Sequence, residues 1–472
     1  MPKRVKPGKN SDMTDTSQTT PPVQDAAEID AALLADMSDA VEERDVRWLA
    51  RTLQRMHPAD AADALEQLPY DTFEEAVELL GGELPPDILI ELRDSYREGA
   101  VDVLPDHAVV NALDELDSDD ATTILDDLED DRRERILEDL APIDRAQLER
   151  GLAYEEETAG RLMQTEFVAL PEFWTVGHSI DHARKLGTEL PEVFYEVYVT
   201  DPAHRLIGVV SLATLLRTPR DSQLSDIMED PMSNITTDMD QEEVAYQFQK
   251  YSLASAPVKD GAGRLVGMIT VDDMVDVIQS ENTEDLLSLL NVNSADGSDN
   301  VWDTVKARAP WLAVNLFTAF IASAIISIFE GTIEQLVALA VLMPVVAALG
   351  GNAGSQGLAV AVRAIAEREL DGPAARRAVL REFLSGTVNG VIFAIGVGII
   401  AFLWFHQVKL ALVIAASMLA TFMWAGLSGI LVPLSLKRLG ADPAVASSVF
   451  VLTLTDVMAF FSFLGLASLI LL

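Results

Sequence analysis

The chain has 472 residues, room for two or three domains, and a formal net charge of −41 carried by its first two thirds. Residues 1–300 hold 66 acidic against 24 basic side chains, and residues 301–472 hold nine against 10. A field of that sign repels nucleic acid and anionic lipid, concentrates cations and favours solubility in a saline medium, while the lack of cysteine excludes disulfides and thiolate metal sites.

Residues 1–26 carry Lys3, Arg4, Lys6 and Lys9, then Ser, Thr, Asp and Pro with no apolar core. They read as a disordered tail and not as a signal peptide. Residues 27–157 read as an acidic, all-helical domain. An apolar pair recurs every 12 residues from Leu65/Leu68 through Val77/Leu80, Leu89/Leu92, Val101/Leu104, Leu113/Leu116 and Leu125/Leu128 to Leu137/Leu140. One short helix plus a turn fits each repeat, and Pro58, Pro69, Pro85, Pro86, Pro105 and Pro142 break any longer helix. Such repetition predicts a small α-superhelix whose units bury their apolar stripes on one another.

Residues 158–280 contain two similar halves, 158–220 and 221–280. Leu162-Met163 and Ile227-Met228 open them; the segments Arg205–Ser211 and Arg264–Thr270 close them, each a turn and a β-branched strand before a helix. The pairing resembles a tandem CBS module, an α/β unit that often binds adenosine nucleotides. Such modules keep a Ser/Thr followed three residues later by an Asp that reaches a ribose hydroxyl. Thr270 and Asp273 match in the second half, whereas Ser211 is followed by Thr214 in the first, so the resemblance implies one nucleotide site at most. A structural pair without ligand is the competing reading.

Residues 281–306 read as a connecting helix, with Glu281, Glu284 and Asp285 near its start where carboxylates meet the positive end of the helix dipole. Five apolar spans then follow near 309–329, 333–361, 379–404, 410–435 and 446–471. Lys306, Arg308, Arg363, Arg368, Arg376, Arg377, Arg381, Lys437 and Arg438 fall on one side of these spans. That bias places the amino-terminal domains in the cytoplasm, and an odd number of spans leaves the carboxyl end outside.

Two membrane features bear on function. The run Pro344–Gln356 interrupts the second span with Gly350, Gly351 and Gly354, which allow close backbone approach or local unwinding. Asn352 and Gln356, four residues apart, share a helical face. Tight helix packing by small residues is the alternative. The second feature is Asp456, an acid well inside the last span, with Thr453 one turn earlier on the same face. A charge at that depth is costly and marks an ion or proton pathway, unless a neighbouring helix satisfies it. Glu382, near one end of the third span, reads equally as a vestibule charge or a helix cap.

Assembled in this order, the chain resembles the MgtE family of magnesium channels over nearly its whole length. The Pro344…Gly350-Gly351-Asn352-x-Gly354-x-Gln356 and Thr455-Asp456-Val457 elements look like that family's two membrane signatures. The resemblance implies an α-helical membrane protein of five transmembrane helices, with a cytoplasmic all-α superhelical domain and α/β tandem CBS domains. It implies a homodimer in the inner cell membrane, in contact with lipid, whose pore lies between the two membrane domains. In the family the last-span Asp, here Asp456, binds the pore Mg2+ through its water shell, and Gly350, Gly351 and Asn352 line the path. Cytoplasmic Mg2+ bridges acids of the N domain, CBS pair and connecting helix and closes the channel; the residues chosen here are Asp272, Asp273, Asp276, Glu281, Glu284 and Asp285. Mg2+ is the implied ion, and ATP the nucleotide that the CBS pair would take.

The chemistry agrees. Mg2+ prefers oxygen ligands and keeps several waters, so single carboxylates can hold it without trapping it. No His/Cys cluster favours zinc or copper, while Mn2+ and Co2+ stay open. A secondary transporter coupled to H+ or Na+, with Asp456 as the exchanging carboxylate, is the main alternative, and a membrane-anchored sensor without transport is a third. No nucleophile–base set, P-loop or metalloprotease helix suggests an enzyme.

Overall fold

A computed structural model describes residues 29–187, 190, 191, 193–290, 292, 301–366, 368–370 and 372–472. The predicted tail at 1–26 and most of the stretch 291–300 lie outside them. Two compact units divide the chain after Leu152.

The first unit is built from helices alone: α1 (Ala31–Glu42), α2 (Val46–Leu53), α3 (Pro58–Glu66), α4 (Tyr70–Leu80), α5 (Pro86–Glu91), α6 (Asp94–Val103), α7 (Asp106–Glu115), α8 (Ser118–Asp126), α9 (Asp130–Asp139) and α10 (Pro142–Leu152). Helices α3, α4 and α6 to α10 begin at 58, 70, 94, 106, 118, 130 and 142, on the 12-residue spacing of the apolar pairs. The repeat slips once, at α5, where Gly81 takes a left-handed φ of 48° and Pro85-Pro86 postpones the helix start. All members of the predicted pairs are buried, apart from a partly buried Leu116, and they share one core. Basic side chains tie the repeats together inside this acidic body. The Arg97 guanidinium donates to Asp127 at 2.6 Å, and Arg132 donates to the Val101 carbonyl at the end of α6 at 2.7 Å.

The second unit begins with the two α/β halves. One sheet joins β1 (Ala169–Pro171), β2 (Glu196–Thr200) and β3 (Leu206–Ser211); the other joins β4 (Ile235–Thr236), β5 (Ser255–Lys259) and β6 (Leu265–Thr270). In both, the first pair is parallel and the second antiparallel, with Val199 opposite Gly208 and Val258 opposite Gly267. The helices are α11 (Ala159–Leu162), α12 (Val176–Leu186), α13 (Leu212–Arg217), α14 (Leu224–Ile227), α15 (Gln241–Tyr251) and α16 (Val271–Leu289).

The opening segments are exchanged between the halves. Met163 packs in the core of the second sheet and Met228 in that of the first. A side chain on Gly267 would lie 2.6 Å from the Met163 sulfur, and one on Gly208 2.7 Å from that of Met228, so each glycine admits the other half's methionine. Tyr198, fully buried with Leu265 and Met268, fills the seam between the sheets. Helix α16 runs unbroken past residue 280, joining the last α/β helix to the predicted connector.

The remaining helices are α17 (Val301–Ile328), α18 (Glu330–Gln335), α19 (Ala338–Ala366), α20 (Pro373–Phe405), α21 (Val408–Arg438) and α22 (Pro443–Ile470). Five of them are long and apolar enough to cross a membrane, over Thr304–Ile328, Ala338–Ala366, Pro373–Phe405, Val408–Arg438 and Ser447–Ile470. The second span starts later than the sequence suggested, because residues 330–335 wind into the separate short helix α18. Helix α21 is the hub, packing on α19, α20 and α22.

Candidate functional site

Asp456 is the fourteenth of the 28 residues of α22, about 20 Å along the helix from Pro443. Its side chain is half-buried, and among the described residues it has no hydrogen-bond or ion-pair partner. Thr453, one turn earlier, donates its hydroxyl to the Val449 carbonyl at 2.7 Å, leaving its oxygen able to accept from a water. The neighbouring Thr455 is fully buried and bonds the Leu452 carbonyl.

The glycine run of α19 does not unwind; the helix is continuous from Ala338 to Ala366 through Pro344 and all three glycines. The local unwinding that the sequence allowed is absent from this helix, and what the glycines provide here is close approach to the neighbouring helices. A side chain on Gly350 would lie 2.5 Å from the Thr421 methyl of α21, and one on Gly354 2.9 Å from Val451 of α22. Gly351 faces Leu452, within the turn that precedes Asp456. Gly350→Val is accordingly expected to wedge α19 from α21, at a cost of about 1–3 kcal/mol. Thermal unfolding of the purified protein, read by intrinsic fluorescence, checks this; an unchanged midpoint would reject the packing role.

Asn352 and Gln356 do share a face, as their spacing suggested, but that face turns away from α22. Both line a cavity of about 530 Å³ bounded by α19, α20 and α21, together with Glu382, Ser385 and Asn389. Asp456 is not among its lining residues. The structure thus separates the predicted pore set into the Asp456/Thr453 face of α22, the buried packing glycines Gly350 and Gly351, and an amide-lined cavity.

A second cleft, of about 540 Å³, lies between α15, α16 and the end of α19. Glu242, Glu281, Asp285, Tyr246, Lys250 and Arg368 line it. Glu242 stands at the open side of the cleft, and partial desolvation, then the charges of Glu281, Asp240, Asp285 and Asp442, push its carboxyl up to about 7. Burial followed by Asp442 and Glu284 raises Asp285; burial followed by Glu284 raises Glu281, against a hydrogen bond from Gln241 that lowers it. Arg368 closes the cleft, pairing with Glu243 and lying 4.3 Å from the centre of the Tyr246 ring. Among the described residues, no three acidic or histidine side chains converge tightly enough to cage a bare metal ion. The arrangement suits a hydrated cation, whose waters span the gaps between carboxylates.

Of the six predicted sensor acids, Glu281 and Asp285 lie in this cleft. Glu284 and Asp272 are exposed. Asp276 is exposed as well; partial desolvation, then the charge of Asp272 one turn away at the start of α16, raise it. Asp273 is turned onto its own helix terminus, where it accepts from the Thr270 backbone N–H at 3.3 Å and from the Thr270 hydroxyl. Burial carries its carboxyl to about 6. Glu242, Asp240 and Asp442 escaped the sequence reading. Asp240 caps α15 and Asp442 caps α22, so each was indistinguishable from an ordinary N-cap acid.

Comparison with known proteins decides the family. A model described as a divalent cation transporter matches residues 343–466, one for the MgtE intracellular N domain matches 56–157, and one for the CBS domain matches 224–280. Magnesium transporter MgtE of Enterococcus faecalis is 35% identical over 325 residues, 69% of this chain and 72% of its own. That of Thermus thermophilus is 36% identical over 337 residues, 70% of this chain and 74% of its own. The chain belongs to the MgtE family. A crystal structure of the cytosolic domain of the Mg2+ channel MgtE in complex with ATP is similar at 33% identity, covering 52% of this chain and 99% of that one at a TM-score of 0.47. The resemblance first drawn from the order of domains and the two membrane motifs is thereby established, as is the helical, CBS-containing fold class. Within the MgtE frame, Thr270 and Asp273 occupy the start of α16 as Ser211 and Thr214 occupy that of α13, where the Thr214 N–H donates to the Ser211 hydroxyl at 3.1 Å. The Thr–Asp spacing therefore serves as a capping box in this chain, beside any contact with a nucleotide.

Proposed function

We propose that this protein is a Mg2+ channel for magnesium uptake, closed when cytoplasmic Mg2+ accumulates. The observation that carries the reading is Asp456: an unpartnered, half-buried carboxylate at the midpoint of a membrane-length helix. A charge there is costly unless water and a cation, or a proton, reach it, so it marks an ion pathway. One carboxylate per subunit, two in the proposed homodimer, attracts a hydrated divalent ion without stripping its waters. Thr453 would bind those waters, and the glycines of α19 hold α22 in place by packing. The proposed orientation keeps residues 27–306 in the cytoplasm and the carboxyl end outside, as the basic residues at the helix ends favour.

The cleft of Glu242, Glu281 and Asp285, with Asp240 and Asp442 nearby, is the proposed sensor. At low Mg2+ its carboxylates repel and loosen α16 from α22. A hydrated Mg2+ bridges them and draws the two helices together at the entrance to the membrane. An adenosine nucleotide at the CBS pair would engage Asp273 only by breaking or sharing its capping hydrogen bonds, which marks that site as the more demanding one.

Reconstitution into vesicles with graded internal Mg2+ tests the reading. Inward Mg2+ flux down its gradient is expected, with single-channel currents that fall as internal Mg2+ rises. Saturating flux that requires an opposing H+ or Na+ gradient, with no unitary current, would move the assignment to the coupled carrier.

A further inference from the structure

The cavity beside α21 has chemistry that the Asp456 pathway does not use. Helix α21 packs against both neighbours through glycines. A side chain on Gly386 would lie 2.6 Å from the Phe422 carbonyl oxygen, one on Gly426 2.7 Å from the Glu382 carbonyl oxygen, and one on Gly429 2.8 Å from the Gly354 carbonyl oxygen. With α19 and α20 each pressed onto α21, a groove remains between them whose floor is Phe422 and Gly426.

Both walls carry polar stripes at helical spacing. Asn352 and Gln356 come from α19, and Glu382, Ser385 and Asn389, at i, i+3 and i+7, from α20. Glu382 is the tenth of the 33 residues of α20, inside the span. Its side chain is only 18% exposed, and the nearest base, Arg381, stands 3.7 Å away with its own side chain 68% exposed. That separation exceeds a hydrogen bond, and among the described residues no donor bonds the Glu382 carboxylate. A carboxylate left unsatisfied among apolar helices is costly, so the groove calls for an occupant that supplies positive charge and hydrogen-bond donors.

We propose that this groove is a second cation site within each protomer, holding a hydrated divalent ion by Glu382, with the amides and Ser385 bonding its waters. A hydrated ion meets both needs, since its charge neutralises the carboxylate and its waters donate to the amide and hydroxyl oxygens. Six waters take up about 180 Å³ at bulk density, well within the cavity of about 530 Å³. The chemistry selects no bare ion, because among the described residues one carboxylate and no imidazole line the groove. Such a site would keep a reservoir of ions beside the pathway, separate from the Asp456 face.

The natural absence of cysteine makes a direct test possible. Ser385→Cys introduces the sole thiol, placed on the wall of the groove. A cationic, water-soluble thiosulfonate should modify it in the full-length protein in lipid nanodiscs, and millimolar Mg2+ should slow that reaction at least about threefold by charge repulsion and occlusion. Adding Glu382→Gln should abolish the slowing, Glu382→Asp should keep part of it, and Asp456→Ala should leave it intact. Protection of the cytoplasmic domains from protease by Mg2+, followed in the same variants, should persist, which separates loss of the site from loss of gating. The proposal fails if the thiol reacts only with a lipid-soluble maleimide, which would mean a dry groove covered by lipid or a second copy. It also fails if slowing survives Glu382→Gln, which would mark a conformational response. Slowing lost with Asp456→Ala would assign the effect to the pore instead, leaving the channel reading standing and this one overturned.

Discussion

Replacing Asp456 by Ala is expected to reduce Mg2+ uptake at least about 30-fold while leaving the protein folded. At an effective dielectric of about 20, a unit negative charge about 5 Å from a divalent ion contributes roughly 7 kcal/mol of attraction before desolvation. Retaining even a third of that at the rate-limiting position, roughly 2 kcal/mol, corresponds to about 30-fold in flux. The fold should tolerate the change because Asp456 has no partner among the described residues to orphan. Asp456→Asn should lose nearly as much, since an amide keeps the shape but not the charge. Asp456→Glu should keep part of the flux, displaced along the pathway by one methylene. Uptake into vesicles by radiotracer or fluorescent indicator checks all three, with circular dichroism as the control on folding. Wild-type flux in the Asn variant would remove charge from the mechanism.

Much of this architecture could be read in the chain because local signals and tertiary packing agree. The 12-residue repeat survives into the structure since each pair places one apolar side chain in the last helical turn and the other at or beyond its end. In α6 these are Val101, inside the helix, and Leu104, its C-cap, and both are buried. Long apolar runs define the five spans for the same reason, with α18 hidden because six residues are too few to show a period. The exchange of Met163 and Met228 was not legible. Each opens its own half in sequence, and its seat in the other half's core, against that half's glycine, is a tertiary fact.

The candidate site divided along similar lines. Asp456 was visible as a lone acid in an apolar run. Asn352 and Gln356 lie in the same motif as the packing glycines, and what sequence alone left open was which neighbour each helical face would meet. Asp442 and Glu242 are 200 positions apart and sit among dozens of other carboxylates, so nothing local marks them as neighbours. Their association depends on α16 lying against α22, a tertiary fact.

That association leads to the second large effect, a pH dependence of Mg2+ sensing. The Glu242 carboxyl at about 7 stands above its ordinary value of 4.5, through partial desolvation and then the charges of Glu281, Asp240, Asp285 and Asp442. The assembled cleft therefore retains a proton that an isolated glutamate, away from these neighbouring acids, releases. Without divalent ions, its packing is most stable below the ordinary glutamate range and weakens as pH rises through about 7. Mg2+ acts in the opposite direction, since it competes with that proton for the same carboxylates. Its apparent affinity should rise up to about tenfold per pH unit for each proton displaced, and level off above the Glu242 titration. Protease sensitivity of α16, titrated with Mg2+ at pH 6, 7 and 8, is the measurement. Glu242→Gln should flatten the pH dependence and raise the Mg2+ needed for protection roughly tenfold, because one of the competing charges is gone. Equal Mg2+ midpoints at all three pH values in the unaltered protein would show that this cleft does not sense the ion.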